Sequence, residues 1–209
     1  LTTEKEMDLF TSGDVIGKKI TAEVCVHHMH FNDSYYSELG NQIKCNPSIK
    51  EESDRLALIK ALHDNKIDII ATDHAPHTWD EKMSDYRDAP AGLPLVQHGL
   101  QILMDFYHQD ILSLETIVEK TSHNVAKRFQ VKDRGYIREG YYADLAILDI
   151  DKPYTVSEEN ILYKCGWSPF SGKTFNSSIY MTIVNGHVAF KDGQITENLP
   201  FGMQIEFDR

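Results

Sequence analysis

An apolar run that ends abruptly in ionisable side chains constrains this chain more than any other feature. Residues 67–72 read Ile-Asp-Ile-Ile-Ala-Thr, and Asp73-His74-Ala75-Pro76-His77 follows without a linker. A strand in a parallel sheet is buried on both faces and reads as a nearly continuous apolar run. In (β/α)8 barrels the carboxyl ends of such strands carry the catalytic groups. The pattern therefore predicts a buried strand that delivers Asp73 to the mouth of a pocket.

The first 130 residues alternate between strand-like and helix-like segments. Strands are predicted at 20–26 and 67–72, and helices at about 48–65, from Pro94 onward, after a cap at Ser113 and at about 123–129. A long polar and acidic loop at 76–90 follows the second strand, and loops of this length are often functional. The alternation of strands and helices is typical of parallel βα units.

The pattern changes after residue 130, where glycines separate short apolar segments. Asn185-Gly186 lies between two of these segments and is a strong signal for a two-residue hairpin. Asp192-Gly193 predicts a second turn. We therefore expect an α/β domain over residues 1–130 and a small β-rich domain over residues 131–209.

Composition excludes several partner classes and indicates a compartment. The net charge is −11 and there is no long basic run, which argues against nucleic acid and anionic membranes as partners. No segment approaches the roughly 20 apolar residues that a membrane span needs. Cys25, Cys45 and Cys165 are odd in number and widely spaced. They are best interpreted as reduced, structural thiols of a cytoplasmic protein.

The segment from Ala71 to His77 resembles the dihydroorotases, in their class I form, within the amidohydrolase superfamily. Other segments agree with the family in order and spacing: Leu1 to Thr3, Thr21 to His28, Lys44 to Lys50, Ala89 to Gly92, Gly135 to Asp149 and Trp167 to Gly193. At 25–26, Cys-Val replaces the family's Thr-Pro.

The resemblance implies a fold and an incomplete site. It implies the C-terminal part of a TIM-like (β/α)8 metal-dependent hydrolase barrel, followed by a small β-sandwich module. A complete barrel takes about 250 residues, and the family's first-strand His-x-His, its bridging carboxylate and its next two metal-binding histidines have no counterpart here. We therefore expect the 209 residues alone to be inactive.

Asp73 is the strongest candidate for a catalytic residue. A carboxylate at the end of a barrel strand can ligate zinc and also transfer a proton. The resemblance implies that Asp73 ligates one zinc of a two-metal site and acts as general base and then general acid. The alternative is an aspartate that caps a helix or braces a loop.

The resemblance also implies a set of substrate contacts. His77 would bind a substrate carboxylate, Asn46 would hydrogen bond the amide edge of a pyrimidine ring, and Ala91 and Gly92 would offer backbone groups. An imidazole and a primary amide have the donors and acceptors that these contacts need. The alternatives are a surface histidine, a plain Asn-Pro turn and an ordinary loop glycine.

The histidines at 27, 28 and 30 are a separate candidate. His28-Met29-His30 has the His-x-His spelling of a metal motif, and residues i and i+2 share one face of a strand. In the family, however, this segment is a pair of histidines that do not ligate metal. We therefore favour structural or loop-anchoring histidines, and we expect His74 to orient the site or pack beneath it rather than to ligate metal.

Together, these observations predict a zinc-dependent dihydroorotase that interconverts (S)-dihydroorotate and N-carbamoyl-L-aspartate in pyrimidine biosynthesis. The predicted partner is a small-molecule substrate, and we also expect a homodimer. One alternative is a hydantoinase or allantoinase. Another is an inactive dihydroorotase-like subunit that serves as a scaffold for a carbamoyltransferase.

Overall fold

The computed structural model describes residues 1–196 and 202–208. The strands are β1 (Glu23–Cys25), β2 (Ile69–Ala71), β3 (Leu145–Asp149), β4 (Tyr154–Thr155), β5 (Thr174–Phe175), β6 (Ser178–Val184), β7 (His187–Lys191) and β8 (Gln194–Ile195). The α-helices are α1 (Val26–His30), α2 (Tyr36–Leu39), α3 (Glu52–His63), α4 (Trp79–Lys82), α5 (Gly99–His108), α6 (Leu114–Val118) and α7 (Asn124–Phe129). Short 3-10 helices lie at Glu4–Leu9, Val15–Gly17, Asp33–Tyr35, Gly40–Ile43 and Glu158–Asn160, and a π-helical turn at Glu119–His123 precedes α7.

The chain divides into two compact units. The first consists of Leu1–Ile102 and Thr155–Thr174, and the second of Leu103–Tyr154 and Phe175–Arg209. Spatial compactness and a family domain boundary are different properties, so the predicted division at residue 130 stays a prediction. Residues 197–201 and 209 of the predicted second domain lie outside the described residues.

In the first unit, β1 and β2 form a parallel pair. Val24 lies opposite Ile70, and both are buried. Asp68 precedes β2 and is also buried. Its charge is compensated there, because it pairs with Lys18 Nζ at 2.7 Å and accepts a hydrogen bond from Ala22 N at 2.9 Å. The predicted strand at 67–72 is confirmed in a shorter form, and its apolar residues are buried as the sequence pattern indicates.

The predicted strand at 20–26 is too long at both ends, since the observed strand is Glu23–Cys25. β1 ends at Cys25, and α1 begins directly at Val26. His28 and His30 therefore lie on a helical turn, where residues two apart do not share a face. The strand geometry that made His28-Met29-His30 resemble a paired ligand motif is absent from this described segment.

Two elements after β2 also differ from expectation. The loop at 76–90 contains the helix α4, capped by Thr78, whose hydroxyl accepts from Glu81 N. The helix expected from Pro94 begins only at Gly99. The reason is that the preceding Leu93 is occupied in a parallel bridge with His74, and its carbonyl accepts from Ala75 N at 3.0 Å.

The second unit contains an antiparallel sheet with strand order β3-β6-β7-β8. Asn185 and Gly186 have φ values of 49° and 82°, and they join β6 to β7. Positive φ at both central residues is the requirement of the tight hairpin turn that suits twisted strands. Asp192 and Gly193 repeat the arrangement between β7 and β8, with φ values of 50° and 84°. Both predicted turns are confirmed.

No helix in the described part of the chain is long and apolar enough to cross a membrane.

Candidate active site

Asp73 lies two residues beyond the carboxyl end of β2, in a left-handed backbone conformation with φ of 46°. Aspartate visits this region more readily than most residues, but the conformation is uncommon outside glycine. The side chain is exposed, and within residues 1–196 and 202–208 no group donates a hydrogen bond or forms an ion pair with its carboxylate. The local backbone thus presents a carboxylate with its oxygens available.

His74 fixes the segment that follows. Its Nδ1 accepts hydrogen bonds from Leu95 N at 3.0 Å and Val96 N at 3.3 Å, so the ring proton lies on Nε2. Burial lowers the pKa of His74, which favours the neutral ring that these contacts require. The ring also stacks on Tyr163 with centroids 5.3 Å apart. These contacts support the predicted orienting role.

Gly92 brings a second segment against the first. Its φ is 143°, a conformation that side chains with a Cβ rarely adopt. A Cβ at this position would lie 2.5 Å from Ala75 O and 3.2 Å from His77 Cδ2. The close approach therefore needs glycine, and it brings the predicted contact residues 91–92 next to the segment 75–77.

The segment around Asn46 joins the same group of loops. Lys44 O accepts from Gly92 N at 2.9 Å, and Asn46 follows two residues later at an exposed position. The structure thus connects the backbone around Asn46 to the backbone around Gly92, and it connects Gly92 to His77. These predicted substrate-contact residues lie on neighbouring loops of one unit.

A segment from far along the chain returns to brace this region. Trp167 Nε1 donates to His77 O at 2.8 Å. Gln97 N donates to the Tyr163 hydroxyl at 2.9 Å, and the Gln97 side chain bonds the backbone of Asn160 and Leu162 at 2.7 and 2.8 Å. The bracing segment Thr155–Thr174 belongs to the first compact unit.

An open cavity of about 380 Å³ lies between this returning segment and the loop after β2. It is lined by His74, His77, Lys164 and Cys165, among others. Glu81 Oε2 is 3.9 Å from His77 Nδ1 at its edge. His77 on the loop and Lys164 on the returning segment offer nitrogen donors to an anionic group, and Glu81 adds a carboxylate to the same lining.

Cys25, His27 and His28 form a compact group whose possible ligand atoms all lie within 4.8 Å of one another. Burial lowers the pKa of His27 to about 3, which leaves a neutral imidazole, and burial with the nearby Asp73 charge raises the pKa of Cys25 to about 12. Zinc binds the thiolate rather than the thiol. His28 Nε2 is also 3.0 Å from Pro47 O. These three residues are of types that ligate zinc, but their surroundings keep the Cys25 thiol protonated. The structural role of the two histidines stays a prediction.

Sequence reasoning missed Lys82, Tyr163 and Trp167. The Thr78-x-x-Glu81 spacing of a capping box was available as a signal for α4, and hence for the position of Lys82. The contact of Trp167 with His77 spans 90 residues, and no local pattern encodes it.

Solved structures share this architecture. L-hydantoinase from Arthrobacter aurescens superposes with a TM-score of 0.86 over 98% of this chain and 47% of that chain, at 22% identity. D-hydantoinase from Thermus sp. gives 0.81 over 95% and 45%, at 21% identity. Likeness at this identity shows the fold alone. The fold is that of a TIM-barrel-type metal hydrolase, of which this chain carries one part.

The chain belongs to the Amidohydrolase family, whose model matches residues 3–189, and the family is generally metal-dependent. The dihydroorotase of Clostridium acetobutylicum is 38% identical over 178 residues, which are 85% of this chain and 42% of the relative. The dihydroorotase of Pyrococcus abyssi is 36% identical over 176 residues, which are 84% and 42%. The resemblance predicted from the motifs is confirmed. The chain spans less than half the length of these curated relatives.

Proposed function

We propose that this chain is part of a zinc-dependent dihydroorotase. The reaction adds water across the cyclic amide of (S)-dihydroorotate: a C–O bond forms at the ring carbonyl, the C–N bond breaks, and the ring nitrogen gains a proton to give N-carbamoyl-L-aspartate. The identity with curated dihydroorotases supports the substrate. The single observation that carries the chemistry is the Asp73 carboxylate, which lies beyond a buried parallel strand and has no hydrogen-bond or ion-pair partner among residues 1–196 and 202–208.

The residues of this chain fit a metal site in part. Asp73 offers carboxylate oxygens, which are ordinary zinc ligands. Further ligands would come from the portion of the relatives' length that this chain does not span. When bound, zinc supplies a water of lowered pKa as the nucleophile. Asp73 would hold the metal, accept a proton at its carboxylate and return that proton to the leaving ring nitrogen.

The neighbouring loops would orient the substrate. His77 would bind the carboxylate of dihydroorotate, and Asn46 would pair with the amide edge of the ring. Ala91 and Gly92 would offer backbone groups at the point where the absence of a Cβ lets the chain come close. The cavity beside His77, which Lys164 also lines, supports an anion in this region.

Hydantoin hydrolysis is the second candidate, and the fold similarity to L-hydantoinase favours it. The two candidates differ at His77, since a hydantoin ring lacks the carboxylate that this imidazole would bind. The inactive scaffold remains the non-catalytic alternative, and activity of the full-length protein distinguishes it.

Finer features of the fold belong to the same proposal. We propose that the sheet β3-β6-β7-β8 is one layer of a β-sandwich, which is supported by the exposure of Ile147 and Tyr180, both 38% accessible on its strands. The predicted domains 1–130 and 131–209, the homodimer and the cytoplasmic location are proposed as they stand from the sequence.

The test is the full-length protein with Asp73→Ala, assayed with dihydroorotate and with hydantoin. We expect kcat for dihydroorotate to fall by about 10³-fold or more, because ligation and proton transfer are lost together. Bound zinc should fall as well. Asp8→Ala is the matched control, because Asp8 is an exposed carboxylate on the 3-10 helix Glu4–Leu9. Turnover of hydantoin but not dihydroorotate by the unaltered protein would reject the substrate, and full activity of Asp73→Ala would reject the mechanism.

A further inference from the structure

Lys82 ends the short helix α4 in a polar loop, yet its side chain is fully buried with 0% exposure. Its Nζ donates to Lys44 O at 3.0 Å, Pro90 O at 3.0 Å and Gly92 O at 2.9 Å. An ammonium group has three donors and no acceptor. All three donors of Lys82 are therefore satisfied by backbone carbonyls.

Burying a lysine at this position is unfavourable for the free energy of folding. In the described residues no carboxylate lies within 4.0 Å of Lys82 Nζ, so the charge is buried without a counterion. A buried charge costs several kcal/mol unless it is well compensated, and an apolar side chain of similar length would fill the same volume more cheaply. Burial accordingly lowers the pKa of Lys82 to about 8, and the Lys44 charge acts in the same direction. The stability of the fold does not explain a cation at this position. The ability of one ammonium group to donate to three backbone carbonyls does.

The three acceptors lie on two different segments, each beside a proposed substrate contact. Lys44 precedes Asn46 by two residues, and Pro90 and Gly92 flank Ala91. Gly92 N also donates to Lys44 O at 2.9 Å, so this carbonyl accepts from both Gly92 and Lys82. One side chain thus holds the two segments in a fixed relation.

The helix that carries Lys82 is itself tied to the third contact. Thr78 is its N-cap, and Thr78 N donates to Glu81 Oε2 at 2.9 Å. His77 immediately precedes this cap, and Trp167 Nε1 holds the His77 carbonyl at 2.8 Å. A displacement of α4 would therefore be transmitted to His77 as well as to the carbonyls that Lys82 binds.

We propose that Lys82 is a positioning residue for the substrate-binding loops: its ammonium group clamps the backbone on both sides of Ala91 to the backbone before Asn46. The inference rests on the proposed dihydroorotase function. Lys82 acts through the loops and makes no contact with reacting atoms, so its loss should weaken binding of a carboxylated pyrimidine ring more than it slows the chemical step.

The experiment uses the full-length protein with Lys82→Met, which keeps the length of the side chain and removes the donors. We expect KM for dihydroorotate to rise about tenfold or more while kcat stays within about threefold, the signature of lost uniform binding. Lys66→Met is the matched control. Lys66 Nζ donates to the single carbonyl of Met7 at 3.0 Å, in another part of the unit, and KM should stay unchanged.

A second readout separates the clamp from the catalytic proposal. Amide hydrogen exchange at Gly92 should accelerate about tenfold in Lys82→Met and not in Lys66→Met, because the Gly92 N–H bond to Lys44 O depends on the clamp. If the unaltered protein does not turn over dihydroorotate but Gly92 exchange still responds, the proposed function fails and the clamp stands. Unchanged KM together with unchanged exchange would overturn the clamp.

Lys82→Arg covers the case in which Lys82→Met does not fold. A planar guanidinium cannot direct its donors as a tetrahedral ammonium does, so KM should rise at least threefold while bound zinc stays at the level of the unaltered protein. An arginine variant with unaltered KM and unaltered Gly92 exchange would reject the inference.

Discussion

Asp73 and Asn185 have nearly the same unusual backbone, with φ of 46° and 49°, yet they reach it in opposite ways. Asn185 is followed by Gly186 and sits in a two-residue hairpin, where local sequence alone requires positive φ. Asp73 is followed by His74-Ala75-Pro76, which lacks the Asn-Gly or Asp-Gly pair of a two-residue hairpin. Its conformation is imposed by contacts of His74 and Ala75 with Leu93, about 20 residues away.

Asn185 and Asp73 also differ in whether their polar groups have hydrogen-bond partners. At the hairpin, the unusual backbone completes local structure, and Asn185 N is satisfied by Asp144 Oδ1 at 2.7 Å. At the strand end, the unusual backbone leaves a carboxylate without a described partner. Strained backbone that the surrounding structure maintains is a feature of functional sites. The comparison teaches that a positive φ that no local turn accounts for marks a candidate functional position.

The largest test of this contrast replaces one glycine in each region. Gly92→Ala should lower the free energy of unfolding by about 2 kcal/mol or more, because strain at positive φ adds to a Cβ contact 2.5 Å from Ala75 O. It should also raise KM for dihydroorotate. Gly186→Ala has φ strain but open space around its Cβ, so it should cost about 1 kcal/mol and leave kinetics unchanged. Denaturant unfolding and steady-state kinetics check both, and equal costs would break the comparison.

A second test uses acid. Burial lowers the pKa of His98 to about 4, below the ordinary value of 6.5, so the folded state binds fewer protons than the unfolded state between these pH values. Stability contributed by the neutral ring is therefore complete above pH 6.5 and is lost as the pH falls towards 4, by up to about 3 kcal/mol. His98→Gln should reduce this dependence in unfolding measurements from pH 7 to pH 4, and the part due to His27, whose pKa burial lowers to about 3, should remain. His187→Gln, at an exposed hairpin position, should leave it unchanged. An acid loss in His98→Gln that is as large as in the unaltered protein would contradict the assignment.

The smallest effect concerns the long-range brace. Trp167→Phe keeps an aromatic ring but removes the indole N–H that donates to His77 O at 2.8 Å. We expect a loss of about 1 kcal/mol in the free energy of unfolding and a rise in KM of about threefold. Trp79→Phe is the control, since Trp79 is 45% exposed and packs on Trp167 with centroids 5.9 Å apart. Equal effects of the two variants would show that ring packing matters and the hydrogen bond does not.

The features that sequence predicted are those in which neighbouring residues determine the structure. The turns at 185–186 and 192–193, the cap at Ser113 and the buried strand around Ile70 follow from turn chemistry, capping and apolar patterning. The helix expected from Pro94 is present, but its predicted start was wrong, because Leu93 pairs with His74, a contact that the local pattern does not contain.

The candidate site shows the same limit. Asp73, His77 and Gly92 were found because a family motif marks them, and their catalytic and binding roles stay predictions. The burial of Lys82 and the contact of Trp167 with His77 depend on segments that meet only in three dimensions. Lysine is rarely buried without a partner, so composition would have assigned Lys82 to the surface.

The returning segment Thr155–Thr174 has a consequence for how the site is assembled. Trp167 and Tyr163 complete contacts to His77 and Gln97, which precede them by 90 and 66 residues. Because synthesis proceeds from the amino terminus, the loop after β2 emerges from the ribosome long before its support, and closing so long a loop is slow. The candidate pocket is thus completed late in chain synthesis. A polypeptide that is stalled or cleaved before residue 155 would carry Asp73, His77 and the other candidate residues without the segment that holds them in place.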